Sequence, residues 1–149
     1  MSLSAVDSHL GYWLRFVSNQ VSHAFAIKLA ARDVTVAEWV VLRELFEVEA
    51  VTPSQLADKL GLTRGAVSKL ADRLVEKALV ARAANPEDRR YQTLALTQVG
   101  RRLVPSLSAL ADRNDSEFFG HLSAADRAVI EVAMRDIVRR LGLHNLPAD

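Results

Sequence analysis

The 149-residue chain contains no cysteine, which excludes a disulfide framework, a thiolate metal cage and thiol-based catalysis or redox sensing by this chain. It lacks any apolar run approaching the roughly 18 to 20 residues needed to cross a bilayer. Its first residues, MSLSAVDSHLG, have neither the basic start nor the long apolar centre of a signal peptide, so a cytoplasmic protein with no membrane partner is expected. The histidines, His9, His23, His121 and His144, are dispersed, with no His-x-x-x-His pair and no carboxylate at ligand spacing, and no metal is expected. Gly-x-Ser-x-Gly elbows, phosphate-cradling glycine loops and dinucleotide fingerprints are also missing. These gaps point to a binder without a cofactor rather than an enzyme. Internal repeats, low-complexity tracts and linkers are absent too.

What is present suits one soluble globular domain: 50% hydrophobic residues and 25% charged ones, in a chain long enough to bury a core. The net charge of +1 conceals a division along the sequence. Residues 52–102 carry 10 Lys+Arg against 5 Asp+Glu, residues 1–51 carry 4 against 6, and residues 103–149 carry 5 against 7. A basic middle between mildly acidic flanks suits a local polyanion contact, and a solvated charged surface suits it nearly as well.

From Val6 to about Ala31, Leu10, Trp13, Leu14, Val17, Val21, Ala24 and Phe25 recur at three- and four-residue steps, which predicts a long helix. Phe16 and Ile27 lie off that stripe. A helix apolar on more than one side has more to cover than one neighbouring helix can manage, so burial against a second chain is expected. TVAEWVVLRELF starts a second helix, with Thr35 as cap and Glu38 reaching back to it.

VTPSQLADKLGLTRGAVSKLADRLVEKALV is the most informative run. Thr52 caps a short helix, Pro53 suits its first position, and Gln55 completes a second capping box. Gly61 supplies the left-handed residue that ends this helix, and Thr63 caps the next only two residues later, so the pair forms a helix-turn-helix. In the second member Val67, Leu70, Ala71, Leu74, Val75 and Ala78 fall on one side for packing. Gly65, Ser68, Lys69, Asp72 and Glu76 fall on the other, with Arg64 and Arg73 at the flanks. LVARAA and YQTLALT then read as two strands joined by NPEDRR, a turn that taken alone is most often just a solvated hairpin tip. Thr97 caps a long helix that Pro105 should kink, and Ser123 with Asp126 starts a last one bearing Val129, Ile130, Ala133, Ile137, Val138 and Leu141 on one face.

This order of elements, carried by LTRGAVSKLADRLVEKALV, NPEDRRYQTLALT with its Asp-x-Arg and Leu-Thr, and TQVGRRL, resembles the bacterial MarR (multiple antibiotic resistance regulator) family of winged-helix transcription regulators over nearly the whole chain. The resemblance implies a mainly α fold with a small β-hairpin wing. Residues 35–102 would form the DNA-binding lobe, and 1–34 with 103–149 the dimerisation helices. It implies a homodimeric, ligand-responsive regulator, a repressor, on a palindromic site in double-stranded DNA. Ser54, Thr63, Arg64, Gly65, Ala66, Ser68, Lys69, Arg73, Asp88, Arg89 and Arg90 are the residues expected at the DNA. Arg90 would enter the minor groove beside Arg89, and Asp88 would hold the wing by pairing with Arg73. Asp72 and Glu76 would repel phosphates, so base contacts should come from the first two turns, with Asp72 accepting from a cytosine or pairing with Lys69. The family commonly has Gly at the position of Ala78, which bears on how the recognition helix ends.

Tyr12, Trp13, Phe16, His23, Trp39 and Phe46 are either core or the lining of a cavity for a small aromatic or lipophilic effector, with Arg15 or His23 able to orient an acidic one. Leu10, Leu14, Val17, Ile130, Ile137 and Leu141 are the expected dimer contacts. The rival reading is a winged-helix module whose basic face docks an acidic protein without specific DNA binding.

Overall fold

The computed structural model describes residues 2–85, 87, 88 and 90–143. A single 3-10 turn, Val6–Ser8, precedes helix α1 (Leu10–Ala30), and the chain continues through α2 (Val36–Phe46), α3 (Pro53–Leu60) and α4 (Arg64–Glu76). Strands β1 (Val80–Ala84) and β2 (Gln92–Leu96) pair antiparallel, with Val80 opposite Leu96 and Arg82 opposite Leu94, before α5 (Gln98–Phe119) and α6 (Ala124–Leu141). The expected single helix from Val6 is interrupted at His9, whose extended backbone separates the turn from α1. None of the described helices is long and apolar enough to cross a membrane.

Local chemistry accounts for the boundaries. The Thr35 hydroxyl accepts from the Glu38 amide at 3.1 Å while the Glu38 carboxylate accepts from the Thr35 amide at 2.8 Å, and Thr52 with Gln55 repeats the exchange at 3.2 and 3.0 Å. Each closes two otherwise unpaired donors at a helix start. Gly61, at φ 67°, ends α3. Thr97 caps α5, which continues through exposed Pro105.

The core joins α2, α3, α4 and β2 to α1 and α5: Leu42 and Leu45 of α2, Leu56 and Leu60 of α3, Leu74 of α4 and Leu94 of β2 are fully buried, and Leu29 of α1 and Leu107 of α5 close its far side. Gly100 lets α5 touch the chain entering β1; a Cβ there would lie 2.1 Å from the Leu79 carbonyl oxygen. By contrast α6 has no buried residue, and the first half of α1 leaves Trp13, Leu14, Phe16 and Val17 about half exposed. Burying such side chains contributes roughly 1.5–3 kcal/mol each, so these two faces hold a large unrealised stabilisation in a lone protomer.

Two residues of α4 and the turn after it depart from their expected place on the packed side. Val75 is 37% exposed. Ala78 lies beyond the helix, at φ 61°, where a Cβ crowds the neighbouring carbonyl. Glycine has no such contact, so Ala78→Gly should raise stability by about 1 kcal/mol even after its greater freedom in the unfolded chain is counted. A denaturation midpoint that fails to rise would show that the left-handed turn costs nothing here.

Candidate nucleic-acid interface

The presented half of α4 is built by its cap. The Thr63 hydroxyl accepts from the Ala66 amide at 3.1 Å, and Leu62 N–H donates to the Ala57 carbonyl at 3.0 Å, so α4 leaves the turn with its N-terminus projecting. Thr63, Arg64, Gly65, Ser68 and Lys69 are exposed, while Ala66, and Ser54 in the first turn of α3, are half-buried. Around Gly65 the nearest atom to an added Cβ would be the Thr63 hydroxyl at 4.0 Å. A small-residue surface with two cations and the positive end of a helix dipole can approach a polyanion closely.

The wing tip is locked by one carboxylate. Asp88 accepts from the Arg90 backbone amide at 3.1 Å, from Arg90 Nε at 3.1 Å and from Nη2 at 2.8 Å. Arg90 holds the Asp88 carboxyl below its ordinary value, and Asp88 in turn raises the pKa of the guanidinium. The Arg90 guanidinium carbon also lies 5.9 Å from the centre of the Tyr91 ring, a cation–π arrangement. The expected pairing of Asp88 with Arg73 is therefore not what forms. The turn brings Arg90 to Asp88 through its own backbone amide, whereas Arg73 stands on the exposed flank of α4 with no ion pair among the described residues. Arg89 falls outside the described residues.

Asp72 pairs neither with Lys69 nor with solvent alone: Arg82 of β1 donates to it at 2.6 Å. A cleft of about 720 Å³ joins the start of α3, α4 and the wing, bordered by Thr52, Ser54, Arg64, Asn85, Arg90 and Tyr91. Behind the interface, Glu38 of α2 is fully buried against Lys77 at the end of α4, whose ammonium lies 3.1 and 3.0 Å from the two carboxylate oxygens and donates to the Asp33 carbonyl at 2.6 Å. Spacing along the chain carries no sign of Arg82, Tyr91 or Lys77, because each acts on a partner brought to it by folding or by the turn.

The six residues weighed for an effector cavity do not assemble together. His23 and Trp39 border a cleft of about 520 Å³ between α1, α2 and α5, with Phe25, Val40, Asn114 and Phe119 completing its walls. Tyr12, Trp13 and Phe16 instead stack edge-to-face or tilted on one another near the start of α1, and Phe46 borders a separate groove with Arg43 and Pro105. The reason is helix rise: eleven residues separate Tyr12 from His23, about 16 Å along α1. Asn114, missed in the sequence, is 4% exposed and ties this cleft's wall together. It donates to the Val21 carbonyl at 3.1 Å and accepts from Lys28 at 3.0 Å, while Lys28 also reaches Glu117 at 2.8 Å.

A helix-turn-helix continued into a two-stranded wing and framed by long terminal helices defines a winged-helix protein of the transcription-regulator class. Residues 32–90 match the MarR family model. The multiple antibiotic resistance protein MarR of Escherichia coli is 27% identical over 130 residues, spanning 87% of this chain and 90% of that protein. A putative transcriptional regulatory protein for the hcr operon of Thauera aromatica is 29% identical over 142 residues, 91% and 82% of the two chains. The crystal structure of a mutant of the E. coli MarR complexed with operator DNA aligns with a TM-score of 0.76 at 27% identity, over 87% of this chain and 93% of that one. Bordetella bronchiseptica BpsR, whose structure describes regulation of its DNA binding by 6-hydroxynicotinic acid, aligns at 0.77 with 25% identity over 91% and 97%. Over residues 32–90 the chain is thus similar to the MarR family, and over most of its length to solved MarR structures.

Proposed function

We propose that this protein is a homodimeric, ligand-responsive transcriptional repressor that binds a palindromic site in double-stranded DNA. The observation that carries the reading is the single cleft shared by α3, the first residue of α4 and the Asp88-held Arg90 of the wing. On this reading the cleft takes one phosphate backbone, with the α4 surface toward the major groove and Arg90 toward the minor groove. The relative crystallised with operator DNA supports it. Residues 35–102 form the reading lobe; 1–34 and 103–149 dimerise, with Leu10, Leu14, Val17, Ile130, Ile137 and Leu141 in the contact, all of them exposed in the protomer.

A two-fold axis through the terminal helices would set two α4 helices roughly 34 Å apart, one duplex turn. An effector in the cleft beside His23 and Trp39 then acts by binding one lobe spacing better than the other. BpsR and its hydroxynicotinic acid lend support to such a switch. The test is a titration against duplex from the protein's own upstream region, with scrambled duplex as control, across salt concentrations. Tighter binding to the upstream duplex, with affinity falling steeply as salt rises, is expected. Equal binding to both duplexes would favour the protein-docking module instead.

A further inference from the structure

Asp72 poses an electrostatic problem for an interface meant to meet phosphates, because it is an exposed carboxylate on the same side of α4 as Ser68 and Lys69. Its partner comes from the wing. Arg82 stands opposite Leu94 in the hairpin, and side chains directly opposite across an antiparallel pair share a face. Leu94 is fully buried and so is Val80, two residues before Arg82, so Arg82 leaves β1 on the side turned toward the core. Ala81 and Ala83 take the other side. From there Nη2 reaches the Asp72 carboxylate at 2.6 Å, crossing from one reading element to the other.

We infer that Arg82 and Asp72 form a strut that sets the angle between recognition helix and wing, making Arg82 a positioning residue and Asp72 its necessary anchor. The inference rests on the DNA-binding reading above. The two elements must enter different grooves of one duplex at the same time, and a misplacement of either weakens discrimination at the other's bases. The strut also cancels the charge with which Asp72 would repel the backbone. Arg82 is about one-third exposed and Asp72 more so, so the link is an exposed ion pair: too weak to govern folding, but strong enough to bias an angle.

The sign of the Asp72→Asn effect separates this role from a bystander acid. Removing a negative charge from a polyanion-binding face ordinarily strengthens binding. The strut makes Asp72→Asn lose discrimination instead. The experiment measures affinity of wild type, Asp72→Asn, Arg82→Ala and the exchange Asp72→Arg with Arg82→Asp. Each is titrated against the upstream duplex and a version substituted only in the flanking minor-groove segment. Both single variants should lose about two- to fivefold of the affinity ratio between the duplexes, the scale of an exposed ion pair, and the exchange should regain most of it. Thermal midpoints of all four should stay close, showing that folding is not what changed.

Tighter binding of Asp72→Asn to both duplexes with the ratio intact would overturn the strut. So would an Arg82→Ala variant that weakens both equally and lowers the salt slope by about 1, the mark of a simple phosphate contact. A wild-type protein with no preference for the upstream duplex would instead end the DNA-binding reading, and this inference with it.

Discussion

Replacing Arg90 with alanine is expected to weaken binding to the specific duplex by about 1–3 kcal/mol, roughly 5- to 150-fold. The Arg90 side chain is 82% exposed, yet its Nε and Nη2 are engaged by Asp88 and its guanidinium carbon lies over the Tyr91 ring. An arginine so restrained has less freedom to lose on entering a groove, and a narrow minor groove concentrates the negative potential that attracts it. Asp88 thus contributes by preorganisation despite its charge. Arg90→Lys should lose part of the affinity, because an ammonium cannot donate two coplanar bonds to one carboxylate as the guanidinium does. Titration of each variant against the upstream duplex at fixed salt gives the answer, and an Arg90→Ala protein that binds like wild type would remove the wing from the interface.

The second large effect concerns stability. Glu38→Ala should cost about 3 kcal/mol, because it opens the capping box at the start of α2 and leaves the Lys77 ammonium without its buried partner. That is the lower end for breaking a buried pair, since Lys77 keeps some contact with water and with Asp33. Glu38→Gln can retain the bond from the Thr35 amide and should lose less. The pair differ from wild type in pH dependence as well. Burial alone would raise the Glu38 pKa, but hydrogen bonds from Thr35 and Lys77 outweigh it, and the net shift is downward from 4.5. A carboxyl depressed in the folded state stabilises the fold above its unfolded value and stops doing so as pH falls through the lower, folded one. Wild type should therefore lose stability below about pH 4.5 more steeply than Glu38→Gln does. Denaturant midpoints across that range would measure it, and parallel curves would show that folding leaves the Glu38 carboxyl at its unfolded pKa.

Because Lys77 ends α4, the same contact holds the recognition helix to α2 from behind while Arg82 holds it to the wing from the side. Two long-range pairs thus add to the buried core in holding α4. The Lys28–Asn114–Glu117 group likewise ties α1 to α5.

The sequence by itself determined the elements. Thr35, Thr52, Thr63 and Ser123 cap their helices as their spacing indicated, and Gly61 turns the chain between α3 and α4. The exposed small and basic start of α4 was likewise legible, because helical periodicity separates a packed face from a presented one. All of these are effects between residues at most four apart. Only the tertiary structure decided that Asp72 is answered by Arg82, that Glu38 serves two helices at once, and that His23 and Trp39 share a cleft while Tyr12 and Phe46 do not. A charge on a helix face is compatible with several partners, and an aromatic on a stripe with several cavities; which one it meets depends on crossing angles and strand register, set jointly by the whole buried core.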